Sequence, residues 1–220
     1  MELVMLFYRP MNLRKHIQDV IRPENIDAIV SERFYKKGEY IYMPPAKPNE
    51  MFQLELGVIM IGSYSPVGEE VCYDILYQKE IFGNMRYLNG QFSEFAKAAT
   101  DCKLITYELQ FYKWMIVHEP IASEWFNKMA VSRWCRMENR LFKVCTLTPA
   151  QRLLELYNEL KLEATDAQHK KVDLPSILSD TEIGQLCGLS RQTVSKLLKS
   201  YQRVHKIPLF KKKKLKQYLK

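Results

Sequence analysis

Between residues 52 and 106 apolar side chains recur at every second position. Phe52, Leu54, Leu56, Val58 and Met60 form one such run, and Val71, Tyr73, Ile75 and Tyr77 a second. Ala96, Ala98 and Thr100, then Leu104 and Thr106, form a third. A period of two puts alternate residues on one face of a strand. Gly57, Gly62, Pro66-Val67-Gly68, Gly83 and Asn89-Gly90 cut the runs short. Short strands with regular turn signals predict a sandwich or barrel over about residues 34–110.

The period changes after Pro120. Up to Cys145 there is no further glycine or proline, and Ala130, Trp134, Met137, Leu141 and Val144 recur at spacings of four and three. That is an a/d seam of about two heptads, which predicts one long helix with a dimer seam. Trp125, Phe126 and Met129 form a neighbouring apolar face that can pack on the helix's own β domain. Arg133, Arg136, Glu138 and Arg140 fill much of the remainder. Packing of the seam residues on the chain's own domain is the alternative reading.

A third region opens at Thr148-Pro149, a helix-start signal. Leu153, Leu154, Leu156, Tyr157 and Leu160 make the following helix amphipathic. Residues 163–171 read as a polar loop, and Val172 to Pro175 as a short strand. Ser179 and Glu182 then match the S-x-x-E capping box, so a helix starts at Ser179 with Ile183, Leu186 and Cys187 as its buried face. Gly188 marks a turn. Ser190 is placed to cap a second helix, with Leu189 and Val194 at the two positions of a hydrophobic staple. Val194, Leu197, Leu198 and Tyr201 anchor that helix at 3.6-residue periodicity. Its opposite face carries Gln192, Lys196, Lys199 and Arg203, flanked by Arg191 and Ser195.

Two helices joined at a glycine and carrying an exposed basic face are the pattern of a helix-turn-helix DNA reader. Arg191 and Gln192 fall in the first turn of the second helix, where base edges are met, and suit guanine and adenine. Ser190 and Thr193 are better placed for phosphates at the helix N-terminus. Beyond the helix, Ile207-Pro208-Leu209-Phe210 leads into Lys211, Lys212, Lys213 and Lys214. A β-hairpin wing with a lysine tip, or a loose basic tail, would add affinity without sequence information.

Charge sharpens this reading. The chain has 33 Lys and Arg against 25 Asp and Glu, and the last acid is Glu182. Eleven of the basic residues follow it, so everything up to Glu182 carries a slight negative excess. The five cysteines (Cys72, Cys102, Cys135, Cys145, Cys187) are scattered, with no iron–sulfur or zinc spacing, and the four histidines do not cluster. No metal or cofactor is expected. No Ser/His/Asp group, phosphate-binding glycine loop or paired carboxylate motif supports an enzyme. No apolar run of 18 residues suggests a membrane span, and the apolar Leu3 to Tyr8 is too short for a signal peptide, so a cytoplasmic location is expected.

With Glu182-Ile183-Gly184-Gln185, Gly188-Leu189-Ser190-Arg191-Gln192-Thr193-Val194, Lys37-Gly38-Glu39 and Ile81-Phe82-Gly83 in place, residues 30–220 resemble the cyclic-AMP receptor protein and fumarate–nitrate regulator (Crp/Fnr) family of bacterial transcription factors. The resemblance implies an α+β architecture: an N-terminal β-roll, a jelly roll of the cyclic-nucleotide-binding kind, over 1–118; a long dimerisation helix over 119–146; and a C-terminal winged helix-turn-helix over 147–220. It implies a homodimer on a near-palindromic double-stranded operator, RNA polymerase as a further partner, and a small-molecule effector of unknown identity. Members that bind cyclic nucleotides hold the ribose with a Gly-Glu pair and the phosphate with an Arg-Ser pair. Here the corresponding positions are Gly83-Asn84 and Phe92-Ser93, a degenerate pocket that argues against cyclic AMP. The N-terminal cysteine cluster of iron–sulfur members is absent, since no cysteine precedes Cys72.

Two functions follow. One is a homodimeric, sequence-specific transcription regulator whose roll does not respond to cyclic AMP. The other is a ligand-binding regulatory module with a nonspecific basic tail. The paired helix caps favour the first.

Overall fold

The computed structural model describes residues 12–21, 24–46, 49–83 and 93–204. It opens with helix α1 (Leu13–His16), a π turn and a 3-10 turn. Eight strands follow: β1 (Val30–Tyr35), β2 (Tyr40–Tyr42), β3 (Glu50–Leu56), β4 (Ile59–Tyr64), β5 (Glu70–Leu76), β6 (Ile81–Gly83), β7 (Glu94–Ala98) and β8 (Cys102–Glu108). They form two antiparallel four-stranded sheets, ordered β1-β8-β3-β6 and β2-β7-β4-β5. Their facing sides enclose Phe52, Leu54, Ile59, Ile61, Phe82, Ala96, Ala98 and Leu104. The remainder is helical apart from one small hairpin: α2 (Leu109–His118), α3 (Pro120–Thr146), α4 (Pro149–Glu159), β9 (Ala164–Thr165), β10 (Lys171–Val172), α5 (Leu174–Ile177), α6 (Asp180–Cys187) and α7 (Arg191–Val204). Among the described residues no helix is long and apolar enough to cross a membrane.

Alternation marked the strands but misplaced one face. In β5 the expected inward set was Val71, Tyr73, Ile75 and Tyr77, whereas Cys72, Asp74, Ile75 and Leu76 are buried. The cause is a bulge: Ile61 pairs with Asp74 and Gly62 with Cys72, which leaves Tyr73 as an extra residue and flips the phase. In β3, Met51, Phe52, Gln53 and Leu54 are all buried, because helices cover the side away from the roll interior. The hairpin β9–β10 begins inside the region read as a loop and ends on Val172, the first residue of the expected strand, whereas Leu174-Pro175 starts a helix rather than ending a strand. Proline is well suited to a first helical turn, where its missing N–H costs nothing.

The polypeptide after α3 does not stand apart from the roll. Val58, Met60, Cys72, Ile75 and Ala99 share one apolar core with Leu153, Leu156, Tyr157, Leu160, Leu174, Leu178, Ile183, Leu186 and Val194. The edge strand β5 is closed by a side chain of α6. Gln185 Nε2 donates to the Glu70 carbonyl at 2.9 Å, and the Cys72 amide donates to Gln185 Oε1 at 3.0 Å. One amide thus does what a neighbouring strand would do for an open edge. The hairpin adds two backbone bonds, Gly57 N–H to the Thr165 carbonyl and Ala167 N–H to the Asp101 carbonyl.

Candidate nucleic-acid interface

Helices α6 and α7 are built by the local signals of the sequence. Ser179 Oγ accepts from the Glu182 amide at 3.2 Å, and the Glu182 carboxylate accepts from the Ser179 amide at 2.6 Å. Such a reciprocal cap stabilises a helix start by about 1 kcal/mol. Gly188 ends α6 with φ of 65°, the left-handed region where a Cβ is penalised. Arg152 of α4 holds the turn: its Nη1 donates to the carbonyls of Cys187 at 3.2 Å and Gly188 at 3.0 Å. Ser190 Oγ accepts from the Thr193 amide at 3.1 Å and lies 2.9 Å from the Thr193 hydroxyl. Val194 is fully buried, with Leu189, Leu197 and Leu198 packed against the same core.

This packing fixes which side of α7 faces outward. Arg191, Gln192, Lys196, Lys199 and Ser200 are exposed and, with half-buried Ser195, form one face of α7. Of the expected DNA contacts, Arg191, Gln192, Ser195, Lys196 and Lys199 therefore lie together, without a carboxylate on their helix. Ser190 and Thr193 sit at the start of α7 and spend hydroxyl bonds on each other. Lys211, Lys212, Lys213 and the side chain of Arg203 lie outside the described residues.

The expected effector region is described in part. Gly83 ends β6 at φ of 128°, and Ser93 accepts a hydrogen bond from Ser63 Oγ at 2.8 Å. Asn84 and Phe92 lie outside the described residues. Next to Ser93, Glu94 accepts from the phenols of Tyr42 at 2.5 Å and Tyr73 at 2.9 Å. Burial pushes the Glu94 carboxyl above its ordinary range, against the lowering effect of those phenols and of Arg133.

Between roll and helix lies a cluster that no sequence motif announced. Asp74 of β5 is 0% exposed. Its carboxylate accepts from Arg133 Nε at 3.1 Å, Arg136 Nη2 at 3.3 Å and Arg140 Nη1 at 3.2 Å, and from the Ile75 amide at 3.0 Å. Arg136 also pairs with Glu80 at 2.8 Å, and Arg140 lies 3.8 Å from Glu159 of α4. A buried carboxylate survives only with such partners. The signal was present: residues 133, 136 and 140 share one helical face by their spacing, and Asp74 is an acid within an apolar strand.

Residues 32–119 match the cyclic nucleotide-binding domain family. The CRP-like cAMP-activated global transcriptional regulator of Mycobacterium tuberculosis is 24% identical over 172 residues, covering 76% of this chain and 75% of that protein. FixK2 from Bradyrhizobium japonicum superposes with a TM-score of 0.65 at 18% identity, covering 81% of this chain and 87% of the other. A CooA mutant from Carboxydothermus hydrogenoformans superposes with a TM-score of 0.65 at 19% identity over 96% of each chain. The fold is that of the Crp/Fnr regulators. The Crp/Fnr frame gives the missed residues their place. The Asp74 cluster joins the cyclic nucleotide-binding domain to the long helix, and Gln185 joins it to the helix-turn-helix. Val144, near the end of α3, packs so close to Gly188 that a Cβ there would lie 3.2 Å from it.

Proposed function

We propose that the chain is a homodimeric, sequence-specific DNA-binding transcription regulator of the Crp/Fnr type that does not respond to cyclic AMP. The open, acid-free face of α7, with Arg191 and Gln192 in its first turn, carries the reading. First-turn residues of such a helix reach the floor of the major groove, whereas lysines beside the duplex meet only phosphates. The dimer part rests on α3. Trp134, Leu141 and Val144 are 66%, 65% and 40% exposed within one chain, Ala130 is exposed and Met137 half-buried, and Val131 and Phe142 widen the stripe. A contiguous apolar stripe of this kind marks an interaction surface. On its operator the dimer would be available to RNA polymerase.

The test is selection of bound sequences from random DNA, followed by anisotropy titrations. Arg191→Ala should shrink the ratio of specific to nonspecific affinity, since a lost paired base contact costs about 1–3 kcal/mol. Changing Lys211 to Lys214 to Gln should keep that ratio and flatten the salt slope by about 0.9 per lost phosphate contact. An unchanged ratio in Arg191→Ala would refute the reading helix. Calorimetric titration with cyclic AMP should show no binding in the micromolar range, because Asn84 and Phe92 stand where family members place an acid and an arginine.

A further inference from the structure

The dimer reading, taken with the side chains around Asp74, leads to a specific contact between subunits. The heptad that places Ala130, Met137 and Val144 at d and Trp134 and Leu141 at a places Arg133 at g and Glu138 at e. Arg133 thus stands between two surfaces. On one side its Nε bonds Asp74; on the other it flanks the seam. Its one ion pair at contact distance among the described residues is with Asp74, with Glu94 near enough to feel its charge, whereas Arg136 also pairs with Glu80 and Arg140 with Glu159. Its side chain keeps 26% exposure. Glu138 is exposed and makes no ion pair or hydrogen bond among the described residues.

Orientation follows from what the helix carries. Two reading helices must reach half-sites about 34–36 Å apart on one duplex. α3 has 27 residues, a length of about 40 Å, and leads directly into the DNA head. An antiparallel pair would put the heads at opposite ends. A parallel pair puts them at the same end and sets each g residue against the e residue five positions later on the partner. Position 133 then meets position 138, an arginine against a glutamate. The adjoining pairs are Phe126 with Val131 and Arg140 with Cys145, so this is the one oppositely charged g–e match across residues 126–145. Reversing one helix would instead bring arginine toward arginine and glutamate toward glutamate.

We infer that Glu138 of one protomer docks on Arg133 of its partner, so that the partner subunit's carboxylate completes the arginine cluster on Asp74. Assembly and the junction between roll and helix then share a side chain. A second copy of this chain is the only occupant that fits the match twice, once on each side of the two-fold axis.

The test is a double-mutant cycle read by sedimentation equilibrium on the full chain at low salt, with Glu138→Gln, Arg133→Gln and the pair. Glu138→Gln should raise the dimer dissociation constant about 2- to 30-fold, two partly exposed ion pairs being lost per dimer. Glu138→Lys should raise it further, and high salt should shrink both effects. The double variant should be no weaker than Arg133→Gln alone. Glu138 is exposed, so its variants keep the fold; an unchanged far-ultraviolet circular dichroism spectrum of the Glu138 variants checks this. Dimers in which Glu138→Gln changes nothing, or in which the two single effects add, would overturn the contact and leave the dimer standing. Monomeric wild-type chain would overturn the dimer reading itself.

Discussion

Asp74→Ala tests the junction between roll and helix most directly. The side chain lies at 0% exposure with three guanidiniums on its two oxygens, at 3.1, 3.3 and 3.2 Å. Deleting it leaves three partly buried cations facing one another. Removing one partner of a buried ion pair costs about 3–5 kcal/mol. The low end applies here, because Arg136 keeps Glu80 and Arg140 keeps Glu159. A loss of about 3 kcal/mol corresponds to about 6–12 °C in Tm for a chain of this size. Asp74→Asn keeps the shape and one acceptor oxygen but turns the other into an NH2 donor facing guanidiniums and removes the charge, so it should also destabilise, by no more than Asp74→Ala. Arg133→Gln should lose least, since the carboxylate keeps two guanidiniums. The assay is urea unfolding followed by tryptophan fluorescence, in which buried Trp125 of α3 is the reporter. If Asp74→Ala has the wild-type midpoint, or if Arg133→Gln is the more damaging change, the cluster does not hold the helix to the roll.

Other outcomes are expected at single sites. Gly184→Ala should destabilise by about 1–3 kcal/mol despite alanine's helix propensity, because its Cβ would lie 2.4 Å from the Leu189 carbonyl oxygen; Gly188→Ala should cost about 1–2 kcal/mol from its positive φ, and both are read by thermal unfolding. Gln185→Ala should strip the Cys72 amide of its acceptor and speed its hydrogen exchange, with other β5 amides unchanged. Burial raises the Glu94 carboxyl, so the protonated form is favoured by folding: its contribution is complete below the ordinary carboxylate range and is lost as pH rises through the native value. Glu94→Gln should therefore gain stability relative to wild type as pH rises above the ordinary carboxylate range, and a flat difference would contradict this. Alkylation mapped by mass spectrometry should label exposed Cys135 in the native protein and spare Cys72 and Cys187, whose thiols burial pushes up to about 12 and about 11.

Local signals were legible in the sequence because they act over a few residues. The caps at Thr148 and Ser179, the glycine turn at Gly188 and the single helix from Pro120 all follow from backbone chemistry and periodicity that a short window contains. The exposed face of α7 was equally legible, since burying Val194 on a helix decides where Gln192 and Lys196 point. The residues that tie the parts together were not. Asp74 reads as a misfit in an apolar strand until the bulge at Tyr73 turns it inward, and until α3, about 60 residues later, brings three guanidiniums to it. Gln185 reads as a polar helix residue until the edge of β5 arrives beside it, 115 and 113 positions away. Pairing a buried charge or an open strand edge needs a partner from a distant element. Periodicity along the chain carries no information about such partners, so only the tertiary structure decided them.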